Sequence, residues 1–145
     1  MSDRPEDQGF YPHQLSEKLR YGDTDRQGHV NNAVFSTLLE SGRVAIIYDK
    51  TDSLAAEGCA FVIARLEIDF RAELAWPGEV VVGTAVSKIG RSSFELTQGI
   101  FRDGTCAALS RSVIVQMSEE SRRSHPLSDH AREVLSRLIR NLPQA

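Results

Sequence analysis

Four segments in the second half of the chain, residues 60–70, 79–88, 93–101 and 105–117, alternate apolar and polar side chains on at least one face. Period-two alternation gathers the apolar side chains on one side, so these segments predict a sheet with one apolar face that must be covered. In this reading Leu66, Ile68 and Phe70 point inward and Arg65, Glu67 and Asp69 outward. Phe94, Leu96 and Ile100 continue the inner face, as do Leu109, Val113, Val115 and Met117. The connections are short, one at 89–91 and one at Asp103-Gly104, a hairpin signal, so the strands are expected to be antiparallel.

The cover comes from residues 32–50. Val34, Leu38, Gly42, Ala45, Ile46 and Asp49 recur there at spacings of three and four, with Asn31 or Asn32 as the N-terminal cap. At 1.5 Å per residue this helix would be about 28 Å long. Residues 15–21 read as a first strand, 22–28 as a polar loop, and 128–141 as a short amphipathic helix. The expected fold class is therefore α+β, an antiparallel sheet packed across one long helix. Ala33, Phe35, Leu39, Val44, Ile47 and Tyr48 widen the apolar surface of that helix beyond a single stripe. A second copy of the chain is expected to cover this surface or the sheet edge, giving a homo-oligomer.

At 145 residues the chain makes a single domain, 1–145, with the polar start, 1–13, expected to be flexible. No apolar run approaches the roughly 20 residues that cross a bilayer, so no membrane partner is expected. The first nine residues lack the apolar stretch of a secretory signal, which points to the cytoplasm. Cys59 and Cys106 stand alone, without zinc or redox spacing, and read as reduced thiols. The formal charge is −3, yet residues 121–145 carry five arginines against Asp129 and Glu133. That basic end accompanies no element that reads bases, so it is taken as a solvated helix face and nucleic acid is excluded as a partner.

The densest chemistry lies in Tyr21-Gly-Asp23-Thr-Asp25-Arg-Gln-Gly28-His-Val-Asn-Asn32, two carboxylates just ahead of a helix start. Local chemistry leaves several readings open. Asp23 and Asp25 suit a solvated loop whose charge favours a helix N-terminus. Asp23, Asp25 and His29 could also serve as metal ligands, although no second histidine stands nearby. His29 by itself fits a hydrogen-bonded structural role.

This motif, the helix after it, Leu66-Glu-Ile-Asp-Phe70 and Trp76-Pro-Gly-Glu79 together resemble the hotdog-fold acyl-CoA thioesterases of the 4-hydroxybenzoyl-CoA thioesterase family, over residues 15–117. The resemblance implies hydrolysis of an acyl-CoA thioester, with Asp25 as catalytic carboxylate, acting as general base or nucleophile. It also implies that the backbone N–H of Asn32, at the start of the helix, polarises the thioester carbonyl. His29 and Asn31 would hold the loop or contact substrate, and Arg91, Ser92 and Ser93 would meet coenzyme A. Phe35, Leu38, Phe61 and Ile63 would line the acyl pocket. The family builds its sites between subunits, which implies a homodimer or homotetramer. It uses no resident metal or redox cofactor, coenzyme A being part of the substrate.

Another branch of the fold uses a helix glutamate, which makes Glu40 the rival carboxylate; Arg43, one turn on, is placed to pair with it. After Gly28 the type enzyme continues with apolar and aromatic residues. Here His29-Val-Asn-Asn32 looks closer to general acyl-CoA thioesterases. Two other functions share the fold: a non-catalytic acyl-CoA or acyl-carrier binding protein, and a hydratase or dehydratase working through His29 and Glu40.

Overall fold

The computed structural model describes residues 2–142. Its strands are β1 (His13–Lys18), β2 (Tyr48–Asp49), β3 (Asp52–Ser53), β4 (Cys59–Phe70), β5 (Glu79–Ile89), β6 (Ser93–Arg102) and β7 (Thr105–Ser118). The helices are α1 (Asn32–Ile47) and α2 (Asp129–Ser136). Five strands form one antiparallel sheet in the order β1-β5-β6-β7-β4, and β2 and β3 pair as a separate small hairpin. All four long strands lie within a residue or so of their expected bounds, because the alternation and the Asp103-Gly104 turn fix them locally.

Helix α1 crosses the inner face of the five-stranded sheet, where it contacts mainly β5, β6 and β1. The approach is close because Gly42 faces the sheet. A Cβ there would lie 2.7 Å from Val82 Cγ1 and 2.9 Å from Gln98 Nε2. Beneath the two ends of α1 lie two apolar clusters, one around Phe35, Leu39 and Ile100, the other around Ile46, Phe94 and Leu135. Between them runs a polar strip. Gln98 is fully buried and donates from Nε2 to the Leu39 carbonyl and to Thr84 Oγ1, both at 3.0 Å.

Several expectations need correction. Helix α1 has 16 residues, about 24 Å, and stops at Ile47, three short of the expected end. Asp49 is outside it, because its carboxylate closes the β2–β3 turn by accepting from Thr51 N and Oγ1 at 2.8 and 2.7 Å. The first strand is His13–Lys18 rather than 15–21, since Arg20 and Asp23 fold 21–23 into a 3₁₀ turn. In β7 the face is reversed: Ala108, Ser110, Ser112, Ile114 and Gln116 are the buried set, and Leu109, Val113, Val115 and Met117 are half-buried. Register decides this, because Ile114 stands opposite Phe94, Ser112 opposite Leu96 and Ala108 opposite Ile100.

The ends also differ from expectation. Part of the start expected to be flexible is packed: residues 8–10 make a 3₁₀ turn, and Phe10 and Tyr11 are buried with Ala85 and Phe101. The C-terminal helix occupies only Asp129–Ser136 of the expected 128–141, with Ser128 capping it by accepting from Ala131 N at 3.0 Å. The chain then bonds to β5, where Val86 N donates to the Leu138 carbonyl and Arg140 N to the Val86 carbonyl.

Candidate active site

Asp25 opens a tight loop that closes on itself. Its Oδ1 accepts from Gln27 N at 2.8 Å and His29 N at 3.2 Å, while Gly28 N donates to its carbonyl. Gly28 turns the chain with φ +82°, a conformation that residues with a Cβ seldom adopt. One carboxylate oxygen is therefore held, and Oδ2 makes no hydrogen bond among the described residues. The loop is braced on both sides: Asn31 N donates to the Asp23 carbonyl at 2.9 Å, and Val30 N donates to the Leu74 carbonyl at 2.7 Å.

Asp23 does a different job from Asp25. Burial works against its charge, but the Arg20 backbone N–H at 2.8 Å and the Arg20 guanidinium at 3.0 Å outweigh that and hold its carboxyl below the usual range. It is a structural brace for the 21–23 turn. Asn31 is the N-cap of α1, accepting from Ala33 N at 2.9 Å through Oδ1. Asn32 is the first residue of the helix, where backbone N–H groups have no partner within the helix.

Asp25, His29, Asn32, Phe35, Phe70 and Glu73 line one open cleft of about 400 Å³. Its floor is aromatic, with the Phe35 and Phe70 rings edge to face at 5.2 Å. At its rim His29 Nε2 lies 3.2 Å from Glu73 Oε2. The sequence reading missed Glu73, and no local signal could have found it, because it reaches the cleft only through the pairing of Leu74 and Ala75 with Val30 and His29. Asp25, Asn32, His29 and Phe35 thus come together as a carboxylate, a helix N-terminus and an apolar wall.

The other expected residues lie elsewhere in the chain. Arg91, Ser92 and Ser93 sit at the β5–β6 turn, at the far end of strands that span about 35 Å. That turn is pinned by Arg132, which donates to the Gly90 and Arg91 carbonyls, and by Gln116 N, which donates to the Ser92 carbonyl. Glu40 is exposed and lines a second apolar cleft with Tyr48, Phe61 and Ile63, about 12 Å along α1 from Asn32. Arg43 does not pair with it. Arg43 is 7% exposed and turns under the helix, 3.4 Å from Gln98 Oε1. Its burial lowers its pKa, with the Glu40 charge opposing. Leu38 lies in the core.

Within the loop Asp23 is committed to Arg20, and Asp25 holds the loop amides through Oδ1 alone. Among the described residues no three His, Cys, Asp or Glu side chains gather closely enough to hold a metal ion. Cys59 and Cys106 form no disulfide. No helix among the described residues is long and apolar enough to cross a membrane.

An antiparallel sheet crossed by a helix whose N-terminus meets a carboxylate loop defines a hotdog-type fold. Residues 19–135 match the Thioesterase-like superfamily, and the chain belongs to it. Among solved structures, a protein of Pseudomonas aeruginosa has the same fold, with a TM-score of 0.86 at 21% identity, covering 94% of this chain and 98% of its own. A predicted thioesterase from Bacillus stearothermophilus is 28% identical with a TM-score of 0.81, covering 90% of this chain and 98% of its own. A thioesterase from Thermus thermophilus, complexed with coenzyme A and zinc, is 30% identical with a TM-score of 0.74, covering 86% of this chain and 98% of its own. A comparison with curated protein sequences returns no match.

Proposed function

We propose that the protein hydrolyses an acyl-CoA thioester to a carboxylic acid and free coenzyme A in the Asp25 cleft. The observation that carries this reading is the meeting of the Asp25 carboxylate with the first residue of α1 in one cleft, within a chain of the Thioesterase-like superfamily. Attack on the thioester carbon moves negative charge onto the carbonyl oxygen. The Asn32 N–H and the positive end of the helix stabilise that charge. Asp25, with Oδ2 free, either takes a proton from the attacking water or attacks the carbon itself. Phe35 and Phe70 supply an apolar wall for the acyl group. Coenzyme A as the thiol is supported by the Thermus thermophilus structure, which holds it. The motif from Asp23 to Asn32 relates the chain to the 4-hydroxybenzoyl-CoA branch, while His29-Val-Asn-Asn32 favours a general acyl-CoA over a 4-hydroxybenzoyl group.

The working unit in this reading is a pair of chains. Strand β4 is a 12-residue edge, and its apolar side chains lie open, Ile63 at 46% and Phe70 at 51% exposure. A bare edge of this length and character favours pairing with a second copy. Antiparallel pairing of two β4 edges about a two-fold axis would bring the 90–93 turn of one copy to the Asp25 end of the other. Arg91, Ser92 and Ser93 are then candidates to meet coenzyme A across the interface.

The test is free-thiol release from short, long and aromatic acyl-CoA substrates by the purified protein. Release identifies the activity and its acyl class. Tight binding of acyl-CoA with no release across the panel would overturn the enzyme reading in favour of a binding protein.

A further inference from the structure

We infer that Glu73 is a positioning residue of the Asp25 cleft, holding the His29 ring by its Nε2 so that Nδ1 faces the bound thioester; this rests on the thioesterase reading above. Glu73 lies on the loop after β4, and the backbone fixes where that loop runs. Arg71 N and Ala72 N both donate to the Ala107 carbonyl, at 2.8 and 3.1 Å. Two residues on, the Leu74 carbonyl accepts from Val30 N, and Ala75 bridges to His29. Glu73 is held between these anchors and reaches His29 Nε2 at 3.2 Å, the one polar contact the His29 ring makes among the described residues.

The groups facing His29 are few. Asp25 holds its backbone N–H, and Arg71 and Glu73 are the charged side chains that share the cleft with Asp25 and His29. With Nε2 turned to Glu73, Nδ1 is the ring nitrogen left for substrate. Imidazole is the side chain there whose two ring nitrogens can serve one as proton donor and the other as acceptor. In the general-base route the water oxygen bonds to the carbonyl carbon and gives one proton to Asp25. The C–S bond breaks, its electron pair goes to sulfur, and sulfur takes the Nδ1 proton of charged His29. The proton on Asp25 then returns to His29 through solvent, which leaves acid, thiol and the starting enzyme.

The test combines kinetics with ¹⁵N-histidine spectra, the His29 signals being assigned by their loss in His29→Asn. Glu73→Gln is expected to lower kcat by about 10- to 100-fold, the scale of a misplaced catalytic group, with KM changed less than about twofold. Glu73→Asp should recover part of the loss. In the His29→Asn background Glu73→Gln should cost nothing further, because Glu73 acts through that ring. In the neutral form of the ring, wild-type His29 should carry its proton on Nε2, and Glu73→Gln should show a mixture of the two neutral forms. Equal losses in both backgrounds, or His29 spectra unchanged by Glu73→Gln, would overturn the inference. A wild type whose His29 form depends on Glu73 but which releases no thiol would uphold the positioning and sink the thioesterase reading.

Discussion

Gly42→Ala measures how closely α1 sits on the sheet, and two effects of opposite sign compete in it. On an exposed helix the change stabilises by about 1 kcal/mol. Here the new methyl carbon would lie 2.7 Å from Val82 Cγ1, 2.9 Å from Gln98 Nε2 and 3.1 Å from Thr84 Oγ1. Carbon contacts are comfortable at about 3.5 Å and beyond. None of the three neighbours has room to retreat, since all are fully buried and the Gln98 amide is already committed to Leu39 and Thr84. Overpacking of this kind costs about 1–3 kcal/mol. Disturbing the buried amide costs about 1–3 kcal/mol more. Setting the helix gain against these leaves a net loss of about 1–5 kcal/mol, centred near 3. For a domain of this size the central loss of about 3 kcal/mol lowers Tm by about 6–12 °C. Urea and thermal unfolding should be compared at one protein concentration, because self-association shifts apparent stability. A Gly42→Ala variant as stable as wild type, or more so, would refute the close seating of the helix.

Three further outcomes follow from other contacts. Gln116→Leu should destabilise by about 1–3 kcal/mol in urea titration, because the fully buried amide loses its bonds to Ala56 N at 2.9 Å and the Pro126 carbonyl at 2.8 Å, each worth about 0.5–1.5 kcal/mol; a loss under about 0.5 kcal/mol would contradict a stabilising role for the amide. Arg20 holds the Asp23 carboxyl below its unfolded value, so its contribution is complete above about pH 4 and is lost as pH falls through the folded value. Urea midpoints taken from pH 6 to 2 should therefore fall more steeply for wild type than for Asp23→Asn, and parallel slopes would count against the pairing. Sedimentation should find wild type associated at micromolar concentration and Ile63→Lys, which puts a charge on the open β4 edge, monomeric; a monomeric wild type would remove the paired unit.

What the sequence made legible was what short-range chemistry decides. The bounds of β4 to β7 follow from alternation and the Asp103-Gly104 turn, and the start of α1 follows from the Asn31 cap. What it hid depended on partners distant in the chain. The apolar series through Tyr48 suggested a longer helix, but Asp49 and Thr51 form a turn that ends it. In β7 both alternating sets carry apolar residues, so the buried set is decided by pairing with β6, which selects Ser110 and Ser112 over Leu109 and Val113. On β4 the expected inner residues Leu66 and Phe70 are open within one chain, since α1 covers mainly the strands on the other side of the sheet. The candidate site divides the same way. Asp25, Asn31 and Asn32 stand in a contiguous motif that a reader of the sequence can see, whereas Glu73 joins them only through tertiary pairing.

The most direct measurement of the central claim is thiol release under single-turnover conditions by wild type, Asp25→Asn and Glu40→Gln, at matched fold and association state. Removing an acid–base carboxylate costs about 100- to 10,000-fold. The account predicts a loss of that size for Asp25→Asn and a rate within about threefold of wild type for Glu40→Gln, which lies outside the Asp25 cleft of its own chain. Full activity in Asp25→Asn, or the large loss appearing in Glu40→Gln instead, would contradict it.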